Sequence, residues 1–170
     1  AESPRNQAAQ AAYELGISQM ERGETAEAQA TFLDACERFA GAPTVPALMF
    51  RAAESSARMG KPAEARSAYV KMAALFPQDP WADDALLQAA TLSLKAKDFD
   101  DARETASSLV DGYPRSTLLP AARLIQARSC LETDRTAEAL RILEDLVATP
   151  GIAREVANEG RYHLGLAYRK

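Results

Sequence analysis

Aromatic residues make up only 6% of this 170-residue chain, too few for a β-sandwich core, which draws on aromatic and β-branched side chains. Alanine is abundant instead, which favours closely packed helices. Long apolar runs are missing too. A bilayer span needs ~20 such residues, and even the stretch from Ala85 to Leu94 is broken by Gln88, Thr91 and Ser93. Nor is there a basic excess: the net charge is −4 and the isoelectric point near 5.1, with Lys and Arg scattered among acids. Nucleic-acid binding, which needs a basic stripe to neutralise phosphates, is therefore not expected. The charges suit solvated helix faces.

Residues that carry chemistry are equally scarce. There is one histidine, His163, and no serine, cysteine or carboxylate can be set beside it from the sequence, so no nucleophile–base pair is supported. The two cysteines, Cys36 and Cys130, have no Cys or His neighbour at metal-ligand spacing and read as small core residues, unpaired with each other. Asp98, Asp100 and Asp101 are the densest acid cluster, yet the internal glycine and distal glutamate of a calcium loop are absent. These acids, like Asp83 and Asp84, read as helix starts. No glycine-rich phosphate loop stands out. The expectation is a chain with no catalytic residue, metal site or cofactor.

What the sequence has is a period. Ala28, Ala65, Ala102 and Ala139 stand 37 residues apart, each preceded by an acid: Glu27, Glu64, Asp101 and Glu138. A period of this size marks a stack of supersecondary units stabilised by their neighbours. Ser3-Pro4, Thr44-Val45-Pro46 and Asp79-Pro80 place an oxygen acceptor just ahead of a first-turn proline, with Ser116 to Pro120 a looser version. They predict first helices over roughly 4–22, 45–59, 80–96, 117–133 and 152–170. Gly23, Gly60, Lys97 and Asp134 fall where each should end in a left-handed residue. Second helices are predicted over roughly 25–40, 62–76, 99–113 and 136–149, with Pro77, Pro114 and Pro150 closing three of the units. A small-residue column of Gly16, Ala53, Ala90, Ala127 and, with one residue of slip, Gly165 pairs with the Ala28 column, while Phe32, Tyr69 and Leu143 fill the space further along. The fold class is thus all-α, a right-handed α-solenoid of stacked antiparallel helix pairs. It would form one array of about four and a half units, with bounds of roughly 9–45, 46–82, 83–119, 120–156 and a partial 157–170.

These residues resemble the tetratricopeptide repeat family: Leu15-Gly16, Gly23, Ala28, Phe32 and Ala35, then Gly60, Ala65, Tyr69 and Pro77, then Phe99, Ala102 and Pro114, and more weakly Ala139 and Leu143. Leu164-Gly165-x-x-Tyr168 repeats the first-helix signature. The period departs from the family's usual length of about 34. Longer repeats with junctions such as Phe76-Pro77-Gln78-Asp79-Pro80 and Tyr113-Pro114-Arg115-Ser116 resemble those of bacterial cell-envelope proteins, among them the periplasmic coordinator of the Tol–Pal system and the lipoproteins of outer-membrane protein assembly. That likeness implies a periplasmic or envelope-associated protein; a cytoplasmic one is the alternative.

The resemblance also implies a ligand surface along the first helices. The column assigned there reads Tyr13, Phe50, Leu87, Leu124 and Tyr162, flanked by Ile17, Glu54, Thr91, Arg128 and Leu166, then by Met20, Ala57, Leu94, Leu131 and Arg169. Members that clamp a carboxylate terminus carry Lys and Asn in the first two columns; neither is present there. The apolar stripe, with Arg51, Glu54, Arg58 and Arg128 along it, suits an amphipathic helix or extended peptide. The alternative is that the stripe packs as core between first helices. The function expected is a non-catalytic module that binds a protein or peptide, with an oligomerisation spacer and a recruiting domain of a larger protein as alternatives. The opening Ala1-Glu2-Ser3-Pro4 reads as a processed terminus or the start of a fragment. Gly165, at a cost of about 1 kcal/mol in a helix interior, suggests a following helix, without which Leu164, Ala167 and Tyr168 would offer a face for self-association.

Overall fold

The computed structural model describes residues 3–169; Ala1, Glu2 and Lys170, on which the terminal expectations partly fall, lie outside them. The chain forms two compact units, residues 1–85 and 86–170. Among the described residues there are nine helices and no strand: α1 (Pro4–Glu21), α2 (Thr25–Arg38), α3 (Val45–Arg58), α4 (Pro62–Leu75), α5 (Ala82–Lys95), α6 (Phe99–Gly112), α7 (Leu119–Glu132), α8 (Thr136–Ala148) and α9 (Arg154–Ala167). The class is the all-α solenoid. In the first unit α1 packs on α2 and α3 packs on both α2 and α4; in the second α7 packs on α6 and α8, and α9 on α7 and α8.

Local chemistry sets the turns. Gly23, Gly60, Lys97 and Asp134 have φ of 80°, 73°, 62° and 57°. After each, the next backbone N–H reaches five residues back: Glu24 to the Gln19 carbonyl at 2.9 Å, Lys61 to Ser56 at 3.0 Å, Asp98 to Ser93 at 2.9 Å and Arg135 to Cys130 at 2.8 Å. This is the bond that satisfies the orphan carbonyls of a helix closed by a left-handed residue. Acids then open the next helix: Glu27, Glu64, Asp100 with Asp101, and Glu138 lie in first turns, where the helix dipole favours them.

Small residues set the packing. Ala28, Ala65, Ala102 and Ala139 are wholly buried, as are Ala53, Ala90 and Ala127 on the first helices. At Gly16 an added Cβ would lie 2.2 Å from Phe32 Cε1, so the Phe32 ring occupies the space a side chain would need. Around that contact the first unit buries Met20, Phe32, Ala35, Leu48 and Ala52, with Tyr13 and Ile17 packed against them. In the second unit Leu124, Ala127, Leu143 and Leu146 form one cluster, and Cys130, Leu131, Ala139 and Ala167 another. Side-chain hydrogen bonds pin neighbouring helices: Thr31 donates to Gln19 at 2.8 Å, Gln29 to Ser56 at 2.6 Å and Gln126 to Ser107 at 2.8 Å.

Several expectations need correction. Gly165 does not continue the small column: it is exposed, and an added Cβ would meet nothing within 4 Å. The unbroken interval instead puts Leu164 in the place of Ala127, and Leu164 packs back on the Leu143 and Leu146 cluster. One residue turns a helix by about 100°, which is enough to carry Gly165 to the surface. Ala167 is buried against α7 and α8, so it leaves the expected self-association face. Pro80 precedes α5; Asp79 Oδ1 accepts instead from the Trp81 N–H at 2.9 Å. Ser3 caps α1, accepting from the Asn6 N–H at 3.2 Å, whereas Thr44 makes no side-chain cap bond. Both cysteines are free; burial pushes each thiol up to about 11, helped at Cys36 by the charge of Glu37.

Gly16 and Gly165 should therefore respond in opposite ways to the same change. Gly16→Ala forces Phe32 from its seat and is expected to destabilise the chain by about 1–3 kcal/mol, while Gly165→Ala gains helix propensity of up to about 1 kcal/mol. Urea unfolding of the two variants measures both; a stabilising Gly16→Ala would contradict the packing described.

Candidate functional site

Around Phe50 the first-helix face of the first unit is closed by its own side chains, while α1 and α2 leave a second cleft of about 540 Å³ lined by Leu15, Thr31 and Phe39. Phe50 on α3 is only 5% exposed. Its ring centroid lies 5.1 Å from Tyr69 of α4 and 4.7 Å from Trp81, which stands just before α5. The Arg51 guanidinium sits over the Trp81 ring at 5.1 Å, donates to the Tyr13 hydroxyl at 3.3 Å and pairs with Glu54 at 2.7 Å, and Arg58 reaches the other Glu54 oxygen at 2.7 Å. Burial pushes the Glu54 carboxyl up, but the two guanidiniums outweigh it and hold the group below the usual carboxylate range. Arg51, desolvated yet bonded to Tyr13 and Glu54, is held still more firmly in its charged form. Each aromatic pair adds about 0.5–1.5 kcal/mol beyond its buried area. Tyr13, Phe50, Arg51, Glu54 and Trp81 thus satisfy one another.

In the second unit the C-terminal ends of the first helices leave a cleft of about 880 Å³. Leu94 and Lys95 come from the last turn of α5, Lys97 from the left-handed turn, Phe99 from the start of α6, Arg128, Leu131 and Glu132 from α7, and His163, Leu166 and Arg169 from α9 and its end. The floor is apolar, with Leu131 buried and Leu94 and Phe99 half-buried. Arg128 pairs with Glu159 at 3.3 Å, and Glu159 lies 3.8 Å from His163 Nε2. Desolvation and the Arg128 charge lower the His163 pKa against the opposing pull of Glu159, and so favour the neutral ring. Among the described residues no group of three or more His, Cys, Asp or Glu could hold a metal ion. Arg103 Nε and Ser129 Oγ are buried without a partner.

Of the residues expected to line a groove, Met20, Phe50 and Leu124 are buried in the core, Tyr13, Ile17, Glu54, Leu87 and Arg128 are half-buried, and Tyr162 is 65% exposed. In the second unit the cleft takes up Arg128 and Leu166 from the second column and Leu94, Leu131 and Arg169 from the third. Leu124 and Tyr162 do not line it. The cleft also takes in Lys95, Lys97, Phe99, Glu132 and His163, which lie outside the three columns. Lys97 carried a signal: it replaces the turn glycine that the first unit has at Gly23 and Gly60.

Helix pairs closed by left-handed turns, with wholly buried alanines at a 37-residue interval, define a tetratricopeptide-repeat protein, a scaffold for protein–protein interaction. Residues 10–42 match the tetratricopeptide repeat model. Residues 44–158 match the YfiO model, described as an outer membrane lipoprotein, and the chain belongs to that family. No curated protein matches the chain. Among solved structures it is similar to a tetratricopeptide repeat protein of Parabacteroides merdae (15% identity, 96% of this chain and 61% of that one, TM-score 0.78). It is also similar to the repeats of a putative kinesin light chain of Podosopora anserina (17% identity, 99% and 88%, TM-score 0.70) and to BtubC of P. vanneervenii (13% identity, 97% and 73%, TM-score 0.72). At such identities these likenesses concern the fold alone.

His163 gives the cleft a pH dependence. Because its folded pKa is depressed, the unfolded chain takes up a proton first, so stability is full above about 6.5, the ordinary histidine value, and falls as pH drops below it until the folded ring also protonates. Thermal melts from about pH 7.5 to 5.5 should show a larger loss for the wild type than for His163→Gln, which has no such group to titrate. Parallel pH profiles would show that the ring is not held neutral.

Proposed function

We propose that this chain is a non-catalytic, envelope-associated adaptor that holds a segment of a partner polypeptide against the first-helix face of its second unit. The observation that carries the reading is the contrast between the two faces. In the first unit Phe50, Trp81 and Arg51 fill one another's contacts, whereas in the second Leu94, Phe99, Leu131 and Leu166 floor an open cleft of about 880 Å³. A cleft of that size with an apolar base is what a peptide's anchoring side chains need. The match to an outer membrane lipoprotein family supports the envelope as its compartment. Leu87 and Tyr162, on the same helices, are proposed to border the bound segment rather than to floor it.

A photoreactive amino acid at Leu166, which is partly exposed in the cleft, should yield one discrete adduct with another polypeptide in intact cells. The same probe at Leu33, an exposed leucine of the first unit, serves as the control. Leu94→Asp with Phe99→Asp, which leave position 166 free for the probe, should reduce the Leu166 adduct at least about tenfold while helicity is kept, since both side chains retain solvent access. An adduct of twice the chain's mass would favour self-association through α9, where Tyr162 and Tyr168 are also exposed. Identical adducts from both positions would defeat the adaptor reading.

A further inference from the structure

The cleft of the second unit is basic although the chain as a whole is acidic. Lys95, Lys97 and Arg169 stand around it, and the one acid in its lining is Glu132. Arg128 is already paired with Glu159, but among the described residues no carboxylate pairs with Lys95, Lys97 or Arg169. Cations at helix C-termini are favoured by the helix dipole alone, and that accounts for Lys95 in the last turn of α5. Lys97 and Arg169 follow their helices by two residues, and their backbone N–H groups still bond the last turns, to Leu94 and Leu166, so the dipole favours them too; what it does not supply is a carboxylate partner.

Lys97 adds an observation of a different kind. Its φ of 62° is a conformation that a side chain makes costly and that glycine adopts freely; Gly60 does so at the corresponding turn of the first unit with φ of 73°. Asp134 takes the same conformation at the next turn, with φ of 57°, so what distinguishes Lys97 is that its side chain lines the cleft.

We propose that this cleft recognises an acidic amphipathic segment of a partner polypeptide, whose apolar side chains seat on Leu94, Phe99, Leu131 and Leu166 while its carboxylates pair with Lys95, Lys97 and Arg169. The inference rests on the peptide-binding reading of the same cleft and adds the charge of the ligand. A segment of chain is favoured over an anionic lipid surface by the position of the apolar groups. Leu131 is buried and Leu94 half-buried at the base of a concavity, out of reach of a bilayer, whereas a peptide's side chains can descend to them.

The test uses the whole 170-residue chain and three labelled synthetic peptides that share a helical leucine stripe. Their flanking positions carry glutamate, glutamine or lysine. Anisotropy titration should show the glutamate peptide binding about tenfold more tightly than the glutamine peptide, with the advantage shrinking as salt is raised from about 50 to 500 mM. Charge reversal at Lys95→Glu, Lys97→Glu and Arg169→Glu should move the preference to the lysine peptide. Lys97→Gly separates binding from structure: it should raise the melting temperature, by relieving the left-handed backbone, yet weaken glutamate-peptide binding about fivefold, the equivalent of one exposed ion pair.

Equal binding of the glutamate and glutamine peptides, both lost in Leu166→Asp, would overturn the charge proposal and leave the peptide-binding reading standing. No binding of any peptide would defeat both. Charge-dependent binding to phosphatidylglycerol vesicles without peptide binding would replace the proposal with a lipid surface.

Discussion

The close approach of one helix to the next, made possible by alanine and glycine, is the contact on which this molecule depends. Ala28, Ala65, Ala102 and Ala139 have no exposed surface, and neither do Ala53, Ala90 and Ala127 on the preceding helices. Dispersion and burial reward such contacts only at full packing density, which is why Phe32 can lie where a Gly16 side chain would be. The larger core residues, Phe32, Leu48, Leu109 and Leu143, are placed by that spacing rather than setting it.

The same constraint shapes the first-helix faces. With the helix pairs held together by small residues, long side chains are displaced to the faces and ends of the first helices. What happens there depends on partners from other elements. In the first unit Trp81 and Tyr69 cover Phe50, and Arg51 ties Tyr13, Trp81 and Glu54 into one bonded group. In the second unit Lys97 at one turn and Phe99 at the start of α6 line an open cleft that is rimmed by cations. A repeated backbone thus gives one satisfied face and one that has side chains left to offer.

How much of this could be read from the sequence follows from how local each cause is. The turns were legible because a left-handed closing residue and its five-residue hydrogen bond involve only adjacent positions; even Lys97 and Asp134, which break the glycine rule, fell where the interval placed them. The alanine columns were legible because burial repeats with the period. Whether Phe50 faced a groove or the core was not, since that depends on Trp81 and Tyr69, which no helical periodicity links to it. Gly165 misled because its motif is displaced by one residue; α9 starts at Arg154, where the 37-residue spacing of Val45, Ala82 and Leu119 would put it at residue 156. The apolar stripe runs along the middle of the first helices. The open cleft lies nearer their ends, where Leu94 and Leu131 of the third column are joined by turn residues.

Backbone amide shift mapping of the isotopically labelled chain, titrated with a leucine-striped acidic peptide, tests the central claim most directly. The account predicts shifts confined to residues 94–99, 128–132 and 163–169, with the amides around Tyr13, Phe50 and Trp81 unmoved. Shifts centred on Phe50 and Trp81 instead would show that the face described as satisfied is the one that binds.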